Sequence, residues 1–220
     1  MKILVSEIPA KSAIERGIGL LNSIRILINV LYALLIYGVF MILPRPGDPE
    51  LEYLTLGQMF AEHVTQLLVM VVGLVLIVMY WIQFNRQLGN LVRSTPLHAS
   101  LAVVQMVCLM IYLYFVRFDM EFDGMTLALQ MESIFLALAG FIGVFNWHYA
   151  RLNGLTSDQI DKNEETAVLF SLLPEPIASL FTLPFAVLGP NIWTIAFLSI
   201  IPITWVLNRM KKRYQPESNS

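Results

Sequence analysis

The chain has 220 residues, of which 57% are apolar and only 14% charged, with a mean hydropathy of +0.67 and a formal net charge of −2. That is too little polar surface to cover a water-soluble globule of this length, so most of the chain has lipid as its solvent. The fourteen Lys and Arg residues are few and are accounted for by membrane topology, which leaves no basic patch for nucleic acid.

The segment before the first apolar run places Ile14, Ile18 and Leu21 at helical spacing, with Lys11, Glu15 and Arg16 between them. It reads either as an amphipathic helix on the inner surface or as the first turns of a longer first span. Ile3-Leu4-Val5 is too short for a signal-peptide core, and Leu43-Pro44-Arg45-Pro46 lacks a small-residue cleavage pattern, so the first span is expected to stay.

Six spans follow at 24–43, 64–82, 97–116, 127–147, 167–188 and 191–207, each near the ~20 residues that cross ~30 Å of hydrocarbon as a helix. The predicted fold class is all-α, a polytopic membrane protein. It forms one transmembrane domain over 1–213, with a short polar tail at 214–220.

Charge sets the sidedness. Lys2, Lys11, Arg16, Arg25, Arg86, Arg93, Arg151, Lys162, Arg209, Lys211, Lys212 and Arg213 fall on one side, and only Arg45 and Arg117 on the other. Cytoplasmic loops retain the basic excess, so both termini are expected in the cytoplasm, with the protein multi-pass in a cell inner membrane. Tyr80, Trp81, Tyr112, Tyr114, Trp147, Tyr149, Trp193 and Trp205 sit at predicted span ends, where amphipathic rings are favoured.

The first span carries the clearest pattern. Asn22, Arg25 and Asn29 form a sparse polar entrance, and Leu27, Leu31, Leu34, Gly38 and Met41 recur at steps of three and four on one helix face. In a bundle with this helix at its axis, such a stripe becomes stacked apolar rings that gate by dewetting. Ionisable residues within spans are Arg25, Glu132 about a turn into span four, and Glu175 at the inner start of span five. Pro174, Pro176, Pro184 and Pro202 should kink the last two spans, which Gly189-Pro190-Asn191 joins as a hairpin.

Other chemistry is absent from the sequence. His63, His98 and His148 lie at different span ends without metal-ligand spacing, so no metal and no cofactor is expected. The lone Cys108 excludes an intrachain disulfide. No Gly-rich phosphate loop, Gly-x-Ser-x-Gly or His-Glu-x-x-His occurs, which argues against an enzyme.

The run Val30-Leu-Tyr-Ala-Leu-Leu-Ile-Tyr-Gly-Val-Phe-Met-Ile-Leu-Pro, then Met79-Tyr-Trp-Ile-Gln-Phe-Asn-Arg-Gln-Leu, Val144-Phe-Asn-Trp-His-Tyr-Ala-Arg and the proline-bearing terminal hairpin resemble the bacterial form of the transmembrane-protein-175 family of potassium channels. The resemblance implies a homotetramer around first-span helices and a cation path narrowed by bulky apolar side chains. The family's constriction falls on Leu34, with Leu31, Gly38 and Met41 lining the same path. The family signature of Arg, three residues, then Phe-Ser-Asp is replaced by Ser23 and Leu27-Ile28-Asn29, and Phe84 stands where the family has His.

The expected function is therefore a homotetrameric channel for monovalent cations, with potassium the ion that the resemblance implies, in contact with membrane lipid. Arg25 and Asn29 would stand at its polar entrance. The acidic excess of Asp48, Glu50, Glu52, Glu62, Asp119, Glu121 and Asp123 would concentrate cations at the outer mouth. The alternatives are a non-conducting membrane scaffold that retains the fold and a small secondary transporter.

Overall fold

The computed structural model describes residues 4–41, 63–122 and 124–214, together with Thr55, Gly57, Gln58 and Ala61. Asp48, Glu50, Glu52, Glu62 and Asp123, which form most of the expected acidic mouth, lie outside the described residues, as do Arg45 and the polar tail from 215 onward.

The helices are α1 (Leu4–Phe40), α2 (Val64–Gly89), α3 (Pro96–Glu121), α4 (Thr126–Leu152), α5 (Lys162–Ser171), α6 (Pro174–Thr182), α7 (Pro190–Ala196) and α8 (Ile200–Tyr214). Short 3-10 turns at Leu183–Leu188 and Phe197–Ser199 continue α6 and α7. Among the described residues there is no strand, only an isolated antiparallel bridge between Leu91 and Thr156. Six stretches of the described residues are long and apolar enough to cross a membrane: Ser12–Phe40, Met70–Gly89, Pro96–Glu121, Thr126–Leu152, Lys162–Leu188 and Pro190–Lys212. The chain is an all-α polytopic membrane protein.

α1 settles the reading of the N-terminal segment. Residues 14–21 are the opening turns of one continuous helix rather than a separate surface helix. Its buried seam, Leu21, Ile24, Ile28, Tyr32, Leu35 and Val39, steps by three and four residues and packs on α2 and α3.

α4 is the central helix. Half of its span is buried within the chain, against 11% of the sixth, because it packs on α3 along one flank and on α6 along another. Its buried set includes Ala128, Ala137, Ala139, Gly140, Gly143 and Ala150, small residues that let helices approach closely where lipid supplies no hydrophobic drive. At Gly140 an added Cβ would stand 2.7–2.8 Å from three carbons of the Pro176 ring, so the α4–α6 crossing requires glycine.

Capping fixes the turns on the basic side. Thr95 accepts a hydrogen bond from the His98 amide at 3.3 Å, with Pro96 at the first helical position of α3. The α2–α3 and α4–α5 connections pair through Val92 N to Leu155 O at 2.9 Å and Ser157 N to Asn90 O at 3.0 Å. The Ser94 amide donates to Gly17 O at 3.0 Å, which brings α1 to the same face. Arg151 Nε meets Glu165 Oε2 there at 3.0 Å. Arg25, Arg93 and Arg151 thus gather at one end of the bundle.

The terminal hairpin is broken twice, as its prolines require. The fifth span interrupts at Leu172 and Leu173, just before Pro174 and Pro176, and the sixth carries Pro202 in the first turn of α8. Gly189, at φ 100°, makes the reversal in a region that L side chains rarely adopt.

Candidate intramembrane polar site

The first-span residues divide into two groups. Taking ~100° per residue, Leu27, Leu31, Leu34, Gly38 and Met41 lie roughly 60–140° to one side of the buried seam, and Arg25 and Asn29 roughly 60–100° to the other. Leu34 projects outward at 53% exposure and Leu27 is also exposed, while Leu31, Gly38 and Met41 are half-buried. Gly38 faces α3, with its missing Cβ 2.8 Å from Leu113 Cδ2.

Arg25 and Asn29 both reach side-on to α2. Arg25 Nη2 donates to Leu88 O at 2.7 Å, and Asn29 Oδ1 accepts from Trp81 Nε1 at 3.1 Å. The cause is the end of α2, whose last-turn carbonyls lack helical donors and attract a cation. Arg25→Ala should lower stability by about 1.5–3 kcal/mol, the usual loss for a charged hydrogen bond, with partial recovery in Arg25→Lys. Thermal unfolding in detergent checks this.

The most concentrated polar chemistry in the bundle lies at the break in the fifth span. Glu175 is 4% exposed and belongs to the first turn of α6. Hydropathy alone starts the fifth span at 167 and so puts Glu175 near an interface. The helix instead begins at Lys162, and Glu175 is the central residue of Lys162–Leu188, thirteen positions from either end. Gly140, against Pro176, is one position from the middle of Thr126–Leu152, so the break lies near the midpoint of both stretches.

Gln83 of α2 spans the break. Its Nε2 donates to Ser171 O, the last carbonyl of α5, at 3.3 Å and to Glu175 Oε1 at 2.8 Å. Both neighbours accept, which fixes the orientation of the amide. Tyr80, one turn along α2 and 1% exposed, donates to Leu136 O of α4 at 3.2 Å. Tyr32 of α1 stacks obliquely on Phe84, ring centroids 6.4 Å apart, and its buried hydroxyl has no hydrogen-bond partner.

Glu175 Oε2 is also buried without a partner. Among the described residues no Lys, Arg or His comes within ion-pair distance of it. Backbone irregularity and a carboxyl at this depth are tolerated only where protein surrounds them, because lipid offers neither hydrogen bonds nor charge. An isolated carboxylate there would cost several kcal/mol of desolvation, more than the ~0.3–2 kcal/mol that the start of α6 returns through its dipole.

A second polar chain secures the hairpin. Trp193 Nε1 donates to Ser133 Oγ at 2.9 Å, Ser133 shares a 2.9 Å hydrogen bond with Thr182 Oγ1, and Thr182 donates to Ser179 O at 2.8 Å. Every member is partnered, so this chain is structural. Glu132 of α4, 3% exposed, is a second buried carboxyl and lies nearer the opposite end.

Sequence reasoning singled out Glu175 but missed Gln83, Tyr80 and Tyr32. Their signal is weak, since uncharged polar residues are common in spans, and Gln83 and Glu175 are 92 positions apart.

Six apolar crossings around a buried polar break define an integral, multi-pass α-helical membrane protein. No protein-family profile, curated protein or solved structure matches this chain.

Proposed function

We propose that the protein is a homo-oligomeric, tetrameric channel for monovalent cations in the cell inner membrane, with α1 beside the oligomer axis and Leu34 at the constriction. The observation that carries this reading is the outward face of α1. Among the described residues Ile26, Leu27, Val30, Leu34 and Tyr37 project from the bundle uncovered, over a helix that its own fold buries along one seam. A second copy packed on this face would complete the apolar rings that dewetting gates require. Leu34 and Leu27 would present bulk to the axis. Gly38, held against α3, would set how closely α1 approaches the rest of its own subunit. Arg25 and Asn29 then act as anchors between α1 and α2, and the path is apolar throughout the described part of the stripe.

The test is potassium and sodium flux from proteoliposomes containing the purified protein, together with its mass in detergent by native mass spectrometry. Flux from a tetramer supports the reading. A folded tetramer that passes neither ion leaves the membrane scaffold as the function.

A further inference from the structure

We propose that Glu175, with Gln83 and the hydroxyls of Tyr32 and Tyr80, forms an intramembrane proton-binding site at the break in the fifth span, with the proton carried on Glu175 Oε2. The site is separate from the α1 path and goes beyond the channel reading, since its occupancy can be read without any flux.

The geometry distinguishes the two carboxyl oxygens. Oε1 accepts from Gln83 Nε2 at 2.8 Å, as a carbonyl oxygen does, while Oε2 is buried and unpartnered. Among the described residues no packed element supplies a charge that would hold a carboxylate. α2 contributes Gln83, bonded to Oε1, and Tyr80, whose hydroxyl donates to Leu136 O, while Tyr32 of α1 lies against Phe84 one turn along from Tyr80. α4 contributes the Leu136 carbonyl, already engaged by Tyr80, and α5 contributes the Ser171 carbonyl. Among the described residues α8 brings no cation into ion-pair reach, and its Arg209 is stacked on Trp205 at 3.7 Å. All the facing groups are neutral.

A hydrated metal cation is a poor occupant, because the Pro176 ring is pressed against the backbone of Gly140 beside the carboxyl. A proton needs no space. Its release breaks the Oε2–H bond, passes the proton to water admitted at the break, and leaves a carboxylate that needs new donors. The Tyr32 hydroxyl has no partner to give up, and the Tyr80 hydroxyl has only Leu136 O. Proton binding and release therefore favour different arrangements of the break, a two-state element of the kind found where spanning helices are discontinuous.

The experiment is infrared difference spectroscopy of the full protein in lipid across a pH series. A protonated-carboxyl C=O band at neutral pH should be lost in Glu175→Gln and retained in Glu132→Gln, which removes the buried carboxyl of α4 instead. Gln83→Leu, which deletes the hydrogen bond to Oε1, should move the band to higher frequency. Should Glu175→Gln fail to fold, the Gln83→Leu shift still decides the matter. Full band intensity in Glu175→Gln, or an unmoved band in Gln83→Leu, overturns the proposal. Flux that is absent from wild type while the band behaves as expected would sink the channel reading and leave this site standing.

Discussion

Gly140→Val is expected to destabilise the protein by about 1–3 kcal/mol or more and to prevent recovery of folded material, whereas Gly38→Ala should be nearly silent. Both glycines sit where a Cβ would intrude at under 3 Å, so distance alone does not separate them. The difference lies in what would have to move. At Gly140 the obstacle is three carbons of the Pro176 ring, fixed to the backbone of α6 next to the break. At Gly38 it is one methyl at the end of the Leu113 side chain, which can rotate away. Displacing α6 would also pull Glu175 from Gln83 and strain the hydrogen-bonded contact of Thr182 with Ser133. Thermal unfolding of both variants in the same detergent provides the comparison. Equal stability would mean that α4 and α6 cross more loosely than described.

Leu34→Ala should raise cation flux by at least about tenfold, which corresponds to ~1.4 kcal/mol off the barrier. A narrow apolar ring opposes an ion by stripping its water without replacing it, so the barrier depends steeply on ring width. Truncation removes three carbons from each subunit at the most outward-facing leucine of the stripe. Leu31→Ala is the informative control, because that side chain is half-buried and its loss should open the path less. Flux per tetramer in proteoliposomes is the measurement, and an unchanged rate in a verified tetramer counts against α1 as the lining.

The six crossings were legible because span hydropathy depends on composition and length alone. Their limits were less so. Residues 162–166 are polar, so a hydropathy window starts the fifth span at 167, yet Glu165 is held at the bundle end by Arg151 and the helix runs through. That shift of one turn and more is what carries Glu175 from near a span end to the middle of the stretch Lys162–Leu188. The first span was shortened for a similar reason, since charges at Glu15 and Arg16 interrupt an apolar pattern that the helix itself continues. Arg25 and Asn29 were visible as polar residues, but their direction was not. A helix face becomes known only when a partner such as Leu88 or Trp81 is placed beside it. Gln83 could not have been paired with Glu175 by any local pattern, because the contact exists only through the packing of α2 on the terminal hairpin.

In mechanical terms α1 is a beam bedded along most of its length. Its 37 residues form one rod, tethered at Gly17 by the amide of Ser94 in the α2–α3 connection. Beyond that tether, buried side chains from Leu21 to Val39 seat it on α2 and α3, and Arg25 and Asn29 bond it to α2. At 1.5 Å per residue that seat runs for ~27 Å. A sideways load on the Leu34 face is therefore borne by three helices together rather than by α1 alone.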